Sequence, residues 1–475
     1  MLQQINDFIW TYLLIALLIL CGLWFTWKTR FIQFRMFAEM IRLLKDSGTT
    51  GKDSASDSEH DNDPQKPKKK HITSFQAFAV SLATRVGTGN MAGVATAIAI
   101  GGPGACFWMW VIALMGAATA FVESTLAQLY KRQDKDSFIG GPAYYIYKGL
   151  HSKWMAWLFA ILITITFGLS YNSIQSNTIC HAMEHAFGWN HVVVGIVITI
   201  LALIIVFGGI QRIAKVSSVI VPIMAVGYLL LALFVIFSNI TALPKVFTVI
   251  IDSAFGWNQA IGGTVGAAMM NGIKRGLFSN EAGEGSAPNV AATADVSHPV
   301  KQGLIQALGV FTDTLVVCSC TAFIILVSGL YDSPELNGIQ LTQTALQSEV
   351  GQAGPVFVAV AIFLFAFSSI IGNYYYGEAN IRFMTSSKWA VHIYRVFSAG
   401  VVVMFGALAS LDTVWTLGDI CMAILTLVNI IAILCLGKYV FRLADDYSRQ
   451  RKQGIKDPVF NKEQLPEIQN ELEAW

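Results

Sequence analysis

Charge is what this sequence has least of: Asp, Glu, Lys and Arg make up 13% of its 475 residues, against 54% hydrophobic residues and a mean hydropathy of +0.55. That scarcity excludes an ordinary soluble domain and indicates a polytopic membrane protein. Cysteine supplies no framework. Cys21, Cys106, Cys180, Cys318, Cys320, Cys421 and Cys435 fall within or at the ends of apolar runs, and no Cys/His metal spacing is present. No Lys or Arg precedes the first apolar run and no small-x-small site follows it, so a cleaved signal peptide is not expected. A formal net charge of +2 says little by itself, and no nucleic-acid partner is expected.

What is present is a series of eleven runs, each long enough to cross ~30 Å of hydrocarbon at ~1.5 Å per residue. They lie near residues 8–27, 74–100, 104–130, 154–180, 191–210, 216–237, 259–296, 303–330, 353–381, 389–410 and 413–437. The seventh is too long for one straight crossing. Of the 32 Lys and Arg, 28 sit in one alternate set of connections and only Lys245 in the other, which places the N-terminus outside and the C-terminus inside.

The first run and an amphipathic helix over Lys28 to Lys45, with Phe34, Phe37, Ile41 and Leu44 on its apolar face, make an N-terminal unit, residues 1–45. Residues 46–71 have the composition of a disordered cytoplasmic linker. The other ten runs divide five and five, over residues 72–237 and 259–437, joined by an outer connection at 238–258 and followed by a cytoplasmic tail at 438–475. An odd number of crossings per half inverts the second half relative to the first.

Each half opens on an interrupted run. Residues 84–90 (TRVGTGN) break the first, and residues 279–285 (SNEAGEG) break the second. Unwound backbone survives at bilayer depth only where protein or a wet cavity satisfies it. Gly87, Thr88, Gly89 and Asn90 offer amides for a carboxylate and oxygens for a hard cation. Arg85 lies ~15 Å into its run, where an arginine costs ~2.5–3.5 kcal/mol; it is expected to serve a gate, a ligand or an ion pair, with Glu281 and Glu284 as candidate balancing charges for Arg85, Lys274 or Arg275. Ser368 and Ser369 put adjacent hydroxyls halfway along the ninth run. Gln175, Asn177, Asp313 and Asp419 are further polar groups at depth.

From about Ile72 to Lys438 the chain resembles the alanine or glycine:cation symporter family, the prokaryotic sodium:alanine symporters. The likeness rests on Gly87 to Ala95 (GTGNMAGVA), Gly101 to Ala105 (GGPGA), Phe107 to Trp110 (FWMW), Gly140 to Ala143 (GGPA), Gln175 to Asn177 (QSN), Phe278 to Gly283 (FSNEAG) and Ser286 to Asn289 (SAPN). The resemblance implies an all-α, leucine-transporter-like fold: a five-plus-five inverted repeat with one extra N-terminal helix, eleven transmembrane helices in all. It also implies uptake of a small neutral amino acid, alanine or glycine, across the cytoplasmic membrane, driven by sodium as coupling ion and with no other cofactor. By that likeness Gly87, Thr88, Gly89, Asn90, Gln175, Phe278, Ser279, Asn280 and Asn373 meet substrate, and Thr84, Thr88, Ser368, Ser369 and Ile370 serve sodium. Two residues depart from the family pattern: Asn373 stands where many members have tryptophan, and Glu284 where methionine is usual. The first opens the substrate question to a larger or more polar amino acid, glutamine or serine.

The competing readings are proton coupling through Glu281, Glu284 or Asp313, a channel with the breaks as filter, and a membrane enzyme. For the last, no run carries His, Cys or carboxylates at zinc or nucleophile spacing.

Overall fold

In the computed structural model of the chain, which describes residues 6, 8–50, 72–134, 137–256, 265–333 and 335–475, the apolar runs are helical. Hydrocarbon offers amides and carbonyls no partner, so each helix satisfies its own backbone. In chain order the helices are α1 (Ile15–Lys28), α2 (Phe37–Thr50), α3 (Ser74–Arg85), α4 (Val94–Gly101), α5 (Ala105–Leu129), α6 (Pro142–Gly149), α7 (Lys153–Phe187), α8 (His191–Val206) and α9 (Gly209–Ser238). After these come α10 (Leu243–Phe255), α11 (Val265–Asn280), α12 (Ala287–Ala291), α13 (Pro299–Ser328), α14 (Gly338–Val350), α15 (Ala353–Met384), α16 (Lys388–Leu408) and α17 (Leu411–Lys452). A two-stranded antiparallel hairpin, β1 (Arg132–Asp134) with β2 (Ser137–Ile139), follows α5.

Among the described residues seven helices, α5, α7, α9, α13, α15, α16 and α17, are each long and apolar enough to cross a bilayer. The other expected crossings fall on shorter helices: α1, the pair α3 and α4, α8, and the pair α11 and α12. The two pairs are the interrupted runs. Inside the molecule α5 packs against α11 and α13, α4 against α11, and the second half of α7 against α15.

The expected helix over Lys28 to Lys45 is two pieces. Arg30 and Phe31 take left-handed φ of 56° and 55°, and the chain turns there before α2. No glycine marks this turn; the Thr29 hydroxyl, bonded to the Phe25 carbonyl at 2.7 Å, helps close α1 instead. On α2 and the short turn before it, Phe34, Phe37 and Ile41 face outward, while Met40 and Leu43 are buried against the protein. Glu39 accepts from Arg42 and from Tyr447 (2.7 Å each) and lies 3.1 Å from Arg451, which ties α2 to the far end of α17. Helix α2 runs to Thr50, so residues 46–50 of the expected linker are helical; residues 51–71 lie outside the described residues.

The stretch beyond residue 438 does not hang free. Its first part continues α17 to Lys452, and the rest folds back over the ends of several helices. Phe460 donates its amide to Ser297 (2.9 Å), Lys148 pairs with Glu473 (2.7 Å), Lys301 pairs with Asp457, and the Trp475 indole donates to the Gln128 carbonyl (3.1 Å).

Candidate functional site

Helix α3 starts on a capping box, with Thr73 Oγ1 accepting from the Gln76 amide (3.2 Å) and Gln76 Oε1 from the Thr73 amide (3.1 Å). It stops at Arg85. Val86, at ψ 87°, leaves the helical region, and the chain restarts through a π-helical turn at Gly89–Gly93. The freed amides are held by side chains: Gly87 donates to Asn90 Oδ1 (2.9 Å) and Thr88 to Gln175 Oε1 (3.0 Å).

The second interruption covers residues 281–286, between α11 and α12. Glu281, Gly283 and Gly285 all have positive φ, of 55°, 95° and 79°. A turn so tight leaves its amides pointing outward, and Glu123 of α5 receives two of them. Its carboxylate accepts from Gly283 and Gly285 at 3.2 Å each and from Asn429 Nδ2 at 2.8 Å. Asn429 also donates to the Gly283 carbonyl (2.9 Å), and Asn289 to the Gly285 carbonyl (2.8 Å). Buried unwound backbone is thus satisfied by protein, as the medium requires.

The first interruption meets the last turn of α11, at the edge of the second. A methyl placed on Gly89 would touch Ser279 Cα at 3.0 Å and Phe278 Cδ1 at 3.1 Å, so a larger residue there would push the two segments apart by a few tenths of an ångström. Asp313 bridges the pair, with Oδ1 taking Asn90 Nδ2 (2.7 Å) and Oδ2 taking Ser279 Oγ (2.8 Å). Asn90 and Asp313 sit on π-helical turns, as does Tyr171, and the extra residue in such a turn re-aims the side chains around it. Phe278 is flanked by Tyr171 and Trp415, ring centroids 4.8 and 4.9 Å away.

The hydroxyls of Ser368 and Ser369 both reach the Ala83 carbonyl near the end of α3, at 3.3 and 2.8 Å, and both also bond Phe365 O. Ile370 is fully buried beside them. Thr84 turns elsewhere: its hydroxyl contacts Tyr376 OH (2.9 Å) and Glu281 Oε2 (3.3 Å), and Glu281 also takes the Ser286 hydroxyl (2.6 Å). Glu284 accepts from Tyr171 OH at 3.2–3.3 Å.

Arg85 is buried and donates to the Gln306 carbonyl (3.1 Å), while its Nε and Nη2 have no hydrogen-bond partner among the described residues. It makes no ion pair among the described residues, although it shares the electrostatic field of Glu123, Glu281, Glu284 and Asp313. Lys274 and Arg275 pair with Asp419 rather than with the glutamates. The Lys274 contact is 2.8 Å, the Arg275 contacts are 2.8 and 3.1 Å, and the guanidinium also lies over the Trp415 ring at 4.3 Å.

Several residues expected at the site have buried atoms without partners among the described residues: Thr88 Oγ1, Asn280 Nδ2 and both amide atoms of Asn373. Asn177 is occupied, donating to the Gly406 and Ala409 carbonyls at 2.9 and 2.8 Å. Sequence reasoning missed Glu123, Tyr171, Trp415, Tyr376 and Asn429. Glu123 carried a signal, as a carboxylate within an apolar run; the aromatic residues carried none.

The model of the "Sodium:alanine symporter family" matches residues 1–462. The chain belongs to that family. As a family member it is a multi-pass membrane transporter and not an enzyme. It is 52% identical over 470 residues to the probable sodium/glutamine symporter GlnT of Bacillus subtilis (strain 168), covering 99% of this chain and 94% of that one. It is 51% identical over 471 residues to the amino-acid carrier protein AlsT of the same organism, covering 99% and 96%. Among solved structures, a point mutant of the Eremococcus coleocola manganese transporter shares its fold, with a TM-score of 0.52, 14% identity, and coverage of 76% of this chain and 79% of that one.

Proposed function

We propose that this family member is a sodium-coupled symporter that takes up a neutral amino acid across a prokaryotic cytoplasmic membrane, with its N-terminus outside and its C-terminus inside. Residues 72–237 and 259–437 are read as two inverted five-helix repeats, each opened by its interrupted helix. The observation that carries the reading is the meeting of the first interruption with the end of α11 at Gly89 and Ser279, next to buried polar atoms of Thr88 and Asn280 that lack partners among the described residues. Burying such groups unpaired costs ~1–3 kcal/mol each, which a polar ligand removes.

Sodium is assigned to the oxygens around the Ala83 carbonyl, with Ser368, Ser369, the Ile370 backbone and Thr88 as the donor set. Hard cations take such oxygen ligands. The substrate carboxylate is assigned to the half-helix amides at Thr88 and Gly89, where Gln175 stands in for it. Both ligands then stabilise one arrangement of the broken helices, so each tightens the other's binding. Lys274, Arg275 and Asp419 form a closed charge cluster beside the Trp415 and Phe278 rings, a suitable gate on the outward side.

For the substrate, the first reading is alanine or glycine, supported by the likeness to the sodium:alanine symporter family. Glutamine is the second reading, favoured by the unpartnered amide of Asn373 and by the likeness to GlnT. Purified protein in vesicles tests the scheme: an inward sodium gradient is expected to drive concentrative alanine or glutamine uptake. Uptake that ignores sodium and follows a pH gradient would replace it with proton coupling, and non-saturable flux with a channel.

A further inference from the structure

The loop between α7 and α8 brings together three side chains far from the broken helices. Gly188, at φ 69°, ends α7, and Asn190 caps α8 by accepting from the Val192 amide at 2.8 Å. This short reversal sets His191 beside His181 and Glu184, which lie one helical turn apart on α7. One ligand atom from each of the three falls within 4.8 Å of the other two. His191 Nε2 is 3.0 Å and His181 Nδ1 3.7 Å from the same Glu184 oxygen, Oε2. Tetrahedral zinc with bonds of ~2.0–2.2 Å holds its ligand atoms ~3.4 Å apart, so the three need only small side-chain rotations to meet one ion.

The second imidazole nitrogen decides how the cluster is used. His191 Nδ1 lies 3.1 Å from the Ala407 carbonyl, a pure acceptor, so Nδ1 carries the hydrogen. A neutral His191 then turns a bare Nε2 toward the Glu184 carboxylate, acceptor against acceptor. Something positive belongs between them. A proton on Nε2 serves that one contact, but protonating His181 as well would put two cationic rings 4.9 Å apart. One divalent ion serves all three groups at once. A backbone carbonyl orienting the non-ligating nitrogen is the usual support for a metal-bound histidine. Part of each side chain remains open to solvent, at 28%, 56% and 24% for His181, Glu184 and His191, which leaves an entry path and room for a water as fourth ligand.

We propose that His181, Glu184 and His191 form a binding site for a divalent transition-metal ion of the zinc class on the face that the basic-residue distribution places outside. The ion fastens the end of α7 to the start of α8 and, through His191 and Ala407, to α16. Two imidazoles and one carboxylate suit zinc or cobalt better than calcium or magnesium, which prefer all-oxygen shells.

The test is titration of the purified full-length protein with Co2+, followed by displacement with Zn2+. One equivalent of Co2+ is expected to give the intense visible absorption of a four-coordinate ion, and Zn2+ to abolish it and raise the melting temperature. His181→Ala with His191→Ala removes the signal, and Glu184→Gln weakens binding about tenfold or more. Melting of each metal-free variant at the wild-type temperature separates a lost site from a lost fold. Only the pale spectrum of hydrated Co2+, or binding unchanged in the double variant, overturns the site and leaves an ordinary histidine–carboxylate pair.

Discussion

Asn90 donates its side-chain amide to Asp313 at 2.7 Å, and the other Asp313 oxygen takes the Ser279 hydroxyl, so one carboxylate joins the two interrupted crossings. A hydrogen bond contributes about 0.5–1.5 kcal/mol net, or about 1.5–3 kcal/mol where a partner is charged, and Asp313 makes two that cross between elements. Asp313→Ala is expected to raise the half-saturating substrate concentration or lower the maximal rate by at least about tenfold, since ~1.4 kcal/mol is a factor of ten. Asp313→Asn keeps one acceptor and falls between. Initial uptake rates in vesicles, normalised to protein, check this; a wild-type rate for Asp313→Ala means that the bridge is idle.

Glu123 is the acceptor that keeps the second interruption unwound. Glu123→Gln preserves shape but offers one oxygen where Gly283 and Gly285 need two, and it turns an NH2 toward one of their amides. The cost of one buried amide without an acceptor is about 1–3 kcal/mol. A lower melting temperature in detergent is expected, larger for Glu123→Ala. Equal melting of Glu123→Gln and wild type would mean that the loop finds another acceptor.

How much of this was legible in the sequence depended on the kind of signal. The interruptions stood out because residues 84–90 and 279–285 put polar groups and glycines into apolar runs, where the medium tolerates them only for cause. The turn at Arg30 and Phe31 did not, because neither residue type normally marks a left-handed backbone. Pairings were the least legible. Periodicity shows that Lys274, Arg275 and Asp419 are in helices, but their meeting depends on how α11 and α17 pack, 144 residues apart for the arginine and aspartate. For the same reason Tyr171 and Trp415, which enclose Phe278, read from sequence as ordinary apolar residues. His181 and His191 read as scattered until the Gly188 turn placed them together.

Asp419 balances two cations in a nearly dry setting. Removing one partner of a buried pair leaves an uncompensated charge, a loss of about 3–5 kcal/mol. Asp419→Asn removes the carboxylate that Lys274 and Arg275 share and is expected to lower thermal stability. Adding Lys274→Met and Arg275→Met to it should recover part of the loss, because the two charges that Asp419 balanced are then gone. Failure of the triple variant to recover, measured by thermal unfolding, would show that Asp419 acts through something other than these two cations.

Asn373 offers the most direct test of what the site accepts. Its amide is buried with both polar atoms unpartnered, and it follows Gly372, whose Cα packs on the Thr84 side chain next to the first interruption. If Asn373 lines the proposed substrate site, a tryptophan there takes up space that a glutamine side chain needs and removes the groups that would bond its amide. A site built to hydrogen-bond a substrate group rejects analogues lacking that group far more strongly than an apolar pocket separates sizes. Asn373→Trp is therefore expected to abolish competition by glutamine while sparing alanine, and Asn373→Ala to weaken glutamine while leaving room for it. Sodium dependence should persist in both variants, since the oxygens around Ala83 are untouched. The measurement is inhibition of labelled alanine uptake by unlabelled alanine, glycine, serine and glutamine. An inhibition profile identical to wild type in Asn373→Trp would place the side-chain pocket elsewhere in the fold.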